Sequence, residues 1–521
     1  MEKNQREVTR ATLLVMAAFA FSRALGLVRQ IVFSRYFGTG PEMDAYVAAM
    51  RIPDMLFLVV AGGALGSAFI PVFTARLTRG ERTEAWGLAS AIINLLLLVI
   101  IPLSLGAMLL APWLVRHLIA PALSPAIQAR TVILMRVMLL SPAIFGVSGV
   151  VMGILNAHRH FLLPALAPLL YNLAIIAGAL WGGNTRWGTL GPAIGMVIGA
   201  LLHLGVQVPG LLRFSARYTP TLGLEDAAVR NVGRLMVPRV LGVAVVQLNM
   251  VITTALASTL GSGAISALDY AWRLMLLPQG VFAQAVGTAV FPTLSAQAAR
   301  GELDELRRTL TTMIRTLIAI VLPATAGLIV LGQPLIALVF ERGAFSTTST
   351  HEVSVALALF ALGLLGHSLI EILARAFYAL QDTWSPAGAA GGAMVINLIL
   401  GLLLPALFAQ AGWLPLGGLA LANALAALLE MVVLFLLMER QLDGMPNREL
   451  LHWSLRPLGA TLGMSAVLLL WLHIAPESHL ILSIGGVLLG LASYLCCAWL
   501  LQMEELLTIL AELLKQVPTR S

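Results

Sequence analysis

Apolar runs long enough to form membrane-spanning helices, separated by short polar stretches, recur from one end of this chain to the other. A helix that crosses a bilayer needs roughly 20 consecutive apolar residues, because each adds about 1.5 Å against about 30 Å of hydrocarbon. Runs of this kind predict spans near 10–36, 45–76, 85–112, 129–156, 161–182, 189–213, 230–260, 266–297, 309–332, 352–380, 386–408, 414–439, 454–474 and 479–503. The polar connections are too short to hold a soluble domain. The predicted fold class is therefore all-α integral membrane, with about fourteen transmembrane helices.

Composition agrees. The 521 residues are 59% hydrophobic and 11% charged, with a mean hydropathy of +0.91. A soluble domain carries roughly 25% charged residues to cover its wet surface. The net charge is +7, and every basic residue except Lys3 and Lys515 is Arg. In a soluble protein this balance would point to nucleic acid; in a membrane protein, basic loops anchor the cytoplasmic face, and no nucleic-acid partner is expected. With the N-terminus inside, the inside segments hold Arg76, Arg79, Arg82, Arg159, Arg213, Arg217, Arg300, Arg307, Arg308, Arg440 and Lys515, among others. The outside loops hold only Arg116, Arg130, Arg186 and Arg342. This bias predicts a multi-pass plasma-membrane protein with both termini cytoplasmic. The first apolar run carries Arg23 and Arg29 and lacks a small-residue cleavage site, so it is expected to be a retained helix. Cys496 and Cys497 are adjacent, form no disulfide or metal pattern, and are expected to pack as small apolar residues.

The chain also repeats itself. ALGSAFIPVFTARLTRGE at 64–81 returns as AVGTAVFPTLSAQAARGE at 285–302, an offset of 221 residues. The offset aligns Gly66 with Gly287, Pro71 with Pro292, Gly40 with Gly261 and Pro102 with Pro323; one residue more aligns Pro164 with Pro386. Two pseudo-symmetric six-helix lobes are expected, 1–220 and 221–445, followed by two C-terminal helices and a tail at 446–521. Six is even, so both copies enter the membrane from the same side, as in transporters with a central cavity between two halves.

No chemistry of bond cleavage is visible. A phosphate-binding G-x-x-x-x-G-K-[ST] loop, H-E-x-x-H and the nucleophile elbow are all absent, so neither a catalytic residue nor a cofactor is expected. The informative residues are charges inside apolar spans: Arg23, Arg29 and Arg35; Asp44, Arg51 and Asp54; Asp269 and Arg273; Glu371 and Arg375. A central Arg costs roughly 2.5–3.5 kcal/mol on insertion scales, so such residues face a partner or a wet cavity. Arg23 and Arg29 fit either a structural ion pair or an electropositive cavity. Arg23, Arg29, Arg51 and Arg273 outnumber the nearest acids, Asp44, Asp54 and Asp269, which favours an anionic ligand, and guanidinium suits phosphate oxygens. Arg35 and Asp54 lie near helix ends and are expected to snorkel. Glu371 with Arg375, and Asp269 with Arg273, have the spacing of intrahelical pairs. His158 and His160 read as a solvated loop without metal partners, His203 and His367 as packed polar residues, and the Gly/Ala-rich stretch 387–393 as close helix packing.

Three segments carry a family resemblance. FSRALGLVRQIVFSRYFGTGPEMDAYVAAMRIPD at 21–54 resembles the first two helices of the MurJ lipid II flippases of the MOP exporter superfamily, with their S-R-x-L-G-x-x-R, F-G-x-G and D-A-[FY] patterns. YAWRLMLLPQGVFAQAVGTAVFPTLS at 270–295 is similar to that family's eighth helix, and RAFYALQDTWSP at 375–386 to its junction of helices ten and eleven. The resemblance runs over essentially the whole chain. It implies fourteen helices and transfer of lipid II, an undecaprenyl-pyrophosphate bearing a disaccharide-pentapeptide, from the inner to the outer leaflet. Implied partners are lipid II, membrane lipids and cell-wall synthesis proteins. Arg23, Arg29, Asp44 and Arg273 match the family's central-cavity residues.

The chain departs from the pattern in places. Phe57 stands where the family has a further Arg, and Arg51 is the candidate replacement in the substrate set. Leu276 and Gln30 occupy positions where an acid is common. The sodium site of some members uses acidic and amide side chains; the nearest polar groups here are Asn249, Asn397 and Asn423, so neither a metal nor sodium coupling is expected. Two other functions stay open: a flippase for another lipid-linked oligosaccharide, and a cation-coupled multidrug exporter, which would favour an acidic cavity. A transport-inactive scaffold for wall synthesis would not need the buried charges.

Overall fold

A computed structural model describes residues 21–58 and 69–503, leaving out the side chains of 235, 237–242 and 245. All regular structure among the described residues is helical. The helices are α1 (21–37), α2 (Pro41–Phe57), α3 (Ile70–Thr78), α4 (Arg82–Leu114), α5 (Pro125–Met138), α6 (Ser141–Ala157), α7 (Leu162–Gly183), α8 (Leu190–Gly205), α9 (Val208–Arg213), α10 (Ala227–Ser258), α11 (Ala264–Ala299), α12 (Leu303–Phe340), α13 (Thr347–Ala361), α14 (Leu364–Ala379), α15 (Trp384–Gln410), α16 (Pro415–Gln441), α17 (Asn447–Ile474) and α18 (Gly486–Leu500). Ten helical stretches are long and apolar enough to cross a membrane, and the bent pair α13–α14 makes an eleventh. The predicted spans at 10–36 and 45–76 extend into residues outside the described ones.

One predicted span is interrupted by a short turn without a sharp bend and another is bent, each for a local reason. Pro142 has no N–H to give the Met138 carbonyl, so α5 stops and α6 starts anew. The Ser141 hydroxyl donates to that carbonyl instead, at 2.7 Å. α13 and α14 meet at 45°, and the corner at Gly363 lies so close to Ala424 of α16 that a side chain would clash. Elsewhere α12 outruns its predicted span at both ends. Its first turns leave the apolar stretch, and Asp304–Arg307 and Glu305–Arg308 pair there with i, i+3 spacing.

The sequence repeat is a repeat of local structure. At the end of α3, Glu81 N–H bonds to the Arg76 carbonyl across Gly80, whose φ is +80°. At the end of α11, Glu302 N–H bonds to the Gln297 carbonyl across Gly301, at φ +72°. Both are left-handed helix stops, where Gly avoids the Cβ penalty, and α4 and α12 each begin one residue after the Glu. A second stop recurs one residue further out of step: Arg159 and Gln381 both take positive φ, with His160 N–H on Leu155 and Asp382 N–H on Phe377.

By compactness the chain divides into two units at places other than the repeat boundary. The first comprises Met1–Ser266 with Arg342–Phe345, and the second Ala267–Glu341 with Ser346–Ser521. The core of the first unit gathers Phe69, Phe73, Trp86, Leu88, Ile100 and Ile154 from α3, α4 and α6. There α7 and α8 approach backbone to backbone, through Gly178 and Gly182 against Gly191 and Gly195. In the second unit α17 and α18 pack on α12 around Leu331, Met464, Leu468 and Tyr494, and the Tyr494 hydroxyl donates to the Ala319 carbonyl at 2.5 Å. Cys496 and Cys497 are free thiols.

The segment after α9 is tied back onto the first unit. Asn94 Nδ2 donates to the Thr221 carbonyl, Thr219 N–H to Ser90, and Arg76 pairs with Asp226 at 2.7 Å. That hydrogen bond from Arg76 holds the Asp226 carboxyl below its usual range, despite an opposing cost of partial burial. With a depressed folded value, the pair's contribution is complete above the unfolded carboxylate pKa of about 3.9 and fades as pH falls through the lower folded value. The partners are 16% and 29% exposed, so solvent screening keeps the contribution small. Asp226→Asn is expected to cost no more than about 1 kcal/mol at pH 7. Detergent-solubilised melting curves of the two proteins should stay parallel from pH 5 to 9.

Candidate functional site

Asp44 lies in the first turn of α2 and has no exposed surface. Its carboxylate accepts from Gly263 N–H at 2.6 Å, Ser266 N–H at 2.8 Å and the Ser266 hydroxyl at 2.8 Å. These donors belong to the turn that opens α11, where Gly261 and Gly263 have φ of +105° and +91°. A buried carboxylate is costly unless its lone pairs are filled. Here three donors and the positive end of a helix fill them. The sequence places Asp44 among the substrate residues; here its oxygens accept from the Gly263–Ser266 turn.

Arg51 is seven residues on, so it shares a face of α2 with Asp44. Its Nε donates to Thr254 Oγ1 of α10 at 2.8 Å, and that hydroxyl donates in turn to the Met250 carbonyl. One face of α2 therefore grips both α10 and the start of α11, which explains why these segments group with the first unit. Other links join them at the same end of the helices. Ala344 N–H bonds to the Arg35 carbonyl, Gly38 abuts Ala344, and Ser258 Oγ accepts from Ala122 N–H. Glu42 accepts from Thr189 at 2.7 Å and from Arg130 at 3.3 Å.

Arg23 is exposed and Arg29 half-buried on α1, beside a buried Gln30. In the second unit Arg273 Nε meets Asp269 Oδ2 at 2.5 Å, the acid being 6% and the guanidinium 29% exposed. The predicted pair Glu371–Arg375 is formed at 2.7 Å, and Arg375 also reaches the Gln284 carbonyl. A side chain at Gly287 would collide with the Arg375 guanidinium, so the repeated glycine makes room for that arginine. His203 bonds with Ser148 at 2.7 Å and His367 with Asn423 at 3.1 Å, as packed polar residues do. No cluster of three or more metal-ligating side chains occurs among the described residues.

Sequence reading missed three features. The Gly263–Ser266 turn has no signal of its own, because its acceptor lies more than 200 residues away. Thr254 was hidden among apolar residues. Glu430, a carboxylate within α16, was overlooked, although acids in apolar spans are the same kind of signal as the arginines.

Residues 33–485 match the family model described as "Lipid II flippase MurJ". A Burkholderia cenocepacia protein named lipid II flippase MurJ is 30% identical over 466 residues, covering 88% of this chain and 89% of its own length. A probable lipid II flippase MurJ of Vibrio cholerae is 28% identical, over 95% and 96% respectively. Among solved structures, lipid II flippase MurJ in an inward closed conformation superposes with a TM-score of 0.78 at 28% identity, covering 93% of this chain and 98% of its own. An inward-facing multidrug resistance MATE transporter of the MOP superfamily reaches 0.69 at 16% identity over 83% of this chain, a likeness of fold alone.

Proposed function

Because the chain belongs to the lipid II flippase MurJ family, we propose that it carries lipid II across the bacterial inner membrane by alternating access. The observation that carries this reading is the family match from residue 33 to 485, together with the same fold in a solved MurJ. It is a transporter rather than a catalyst. The pyrophosphate and sugars occupy a cavity lined by Arg23, Arg29 and Arg273, with Arg51 standing in for the family arginine replaced by Phe57. The lipid tail stays in the bilayer. Fourteen helices, two repeated six-helix halves with α17 and α18 outside them, and cytoplasmic termini complete the reading. Repeated stops after α3 and α11 support the duplication, and the loop arginines support the orientation.

A flippase for another lipid-linked oligosaccharide would use the same arginines, so substrate identity needs a direct test. Expression in a strain depleted of its own lipid II flippase should restore growth and normal shape, with lipid II becoming accessible at the outer face. Failure by a protein that is inserted at normal levels would refute the assignment.

Energy coupling gives a second expectation. Moving a dianionic head group outward follows an inside-negative potential, worth roughly 2.3 kcal/mol per charge per 100 mV. Collapsing the potential in reconstituted vesicles should slow flipping several-fold, while replacing sodium by potassium should leave the rate unchanged. A strict sodium requirement would contradict this coupling.

A further inference from the structure

A cavity of about 450 Å³ opens in the second unit between α15 and α16, and one carboxylate, Glu430, lies in its wall. Trp384, Ser385, Gly388 and Gly392 line it from α15, and Val433 lies beside Glu430 on α16. The glycines make the space. A side chain at Gly388, Gly391 or Gly392 would meet nothing within 4 Å among the described residues. Within 387–393, where close helix packing was expected, Gly388, Ala389 and Gly392 instead line this slot among the described residues, while Ala393 is buried.

Glu430 is half-buried and takes no hydrogen bond or ion pair from any described residue. It stands about 16 Å along α16 from Gln441, inside the apolar span. A carboxylate there is expensive unless a positive charge meets it. Among the described residues no charge on α15 meets it: that helix carries no charged residue, and the acid before it, Asp382, is spent capping α15 through Trp384 N–H, Ser385 N–H and the Ser385 hydroxyl. Three or more ligating side chains, as a metal ion would require, are not gathered here among the described residues. A proton would need no slot of this size, whereas small-molecule pockets run to roughly 300–1,000 Å³, with apolar walls and a few placed polar groups. The mouth is apolar and exposed, with Trp384 at 81%, and an indole face there adds attraction for a cation.

We propose that the α15–α16 slot binds an amphiphilic organic cation, its protonated amine on Glu430 and its apolar body along Gly388, Gly392 and Val433. The site is separate in chemistry from the arginine set and does not rest on the flippase reading. The amine could come from an amphiphile dissolved in the bilayer or from an aminolipid headgroup, and the experiment distinguishes these sources.

Radiolabelled dodecylamine is titrated onto the full-length protein in phosphatidylglycerol nanodiscs. Saturable binding of about one molecule per chain is expected. Glu430→Gln should weaken it at least tenfold. Gly392→Leu, which keeps the carboxylate and fills the slot, should weaken it as well, with an unchanged melting temperature. Glu439→Gln, an acid at the end of α16 that accepts from Asn447, should bind like the wild type. Competition by phosphatidylethanolamine but not phosphatidylcholine would assign the amine to the membrane's own lipid; no competition by either would assign it to a dissolved amphiphile. Wild-type affinity in Glu430→Gln or in Gly392→Leu would overturn the proposal, as would an equal loss in Glu439→Gln.

Discussion

Arg23→Ala, Arg29→Ala and Arg273→Ala are each expected to abolish support of growth in a flippase-depleted strain, while the proteins still insert and fold. An arginine inside a membrane span is costly and persists where a ligand or partner repays it. A charge-assisted contact with phosphate is worth roughly 1.5–3 kcal/mol, so losing one should weaken substrate binding tenfold or more. Lys at these positions should restore activity only in part, since it keeps the charge without the two-pronged donor. Arg273 needs an extra control because it already touches Asp269 at 2.5 Å. If that ion pair is its whole role, Arg273→Ala should lower folded yield, and adding Asp269→Asn should restore both yield and growth. If Arg273 serves substrate, the double variant should fold and still fail. Arg79→Ala, in the exposed stop after α3, should grow normally. Normal growth of the Arg23→Ala, Arg29→Ala double variant would sink the arginine cavity.

What the sequence disclosed and what it hid follow from the range of the interactions. The ten or eleven spans among the described residues were legible because bilayer thickness fixes the length of an apolar run, whatever surrounds it. The repeated Arg-Gly-Glu was legible as a repeat, and the structure adds why it recurs: Gly80 and Gly301 end helices in the left-handed conformation, which selects Gly locally. Intrahelical pairs such as Glu371–Arg375 follow from spacing alone. The breaks between α5 and α6 and between α13 and α14 were not: Pro142 could have kinked a continuous helix, and the corner at Gly363 depends on Ala424 of another helix. The same holds for Gly388 and Gly392. Small residues promise close approach, but only the folded chain shows whether a partner arrives. Asp44 is the clearest case: the sequence shows an acid before a predicted span, but the turn that it caps, more than 200 residues away, has no signal of its own.

Asp44→Ala should produce the largest loss of local stability of any single substitution in the first unit. Three donors, Gly263 N–H, Ser266 N–H and the Ser266 hydroxyl, lose their acceptor where water has no access. A lost cap costs about 0.5–2 kcal/mol, and each buried donor left unmet about 1–3 kcal/mol. These do not add in full, and a loss of about 3 kcal/mol is a reasonable centre. Amide exchange at Gly263 and Ser266 should then accelerate about a hundredfold, at 1.4 kcal/mol per factor of ten. Ser266→Ala removes one donor and leaves the carboxylate two, so it should cost only about 1 kcal/mol. Asp44→Asn keeps one carbonyl oxygen but gives up the charge at the helix end, and should fall between the two. Growth separates this role from a direct contact with substrate. A positioning residue loses exchange protection and transport together across the series Ser266→Ala, Asp44→Asn, Asp44→Ala. A substrate contact would lose transport in both Asp44 variants while Gly263 and Ser266 kept their protection.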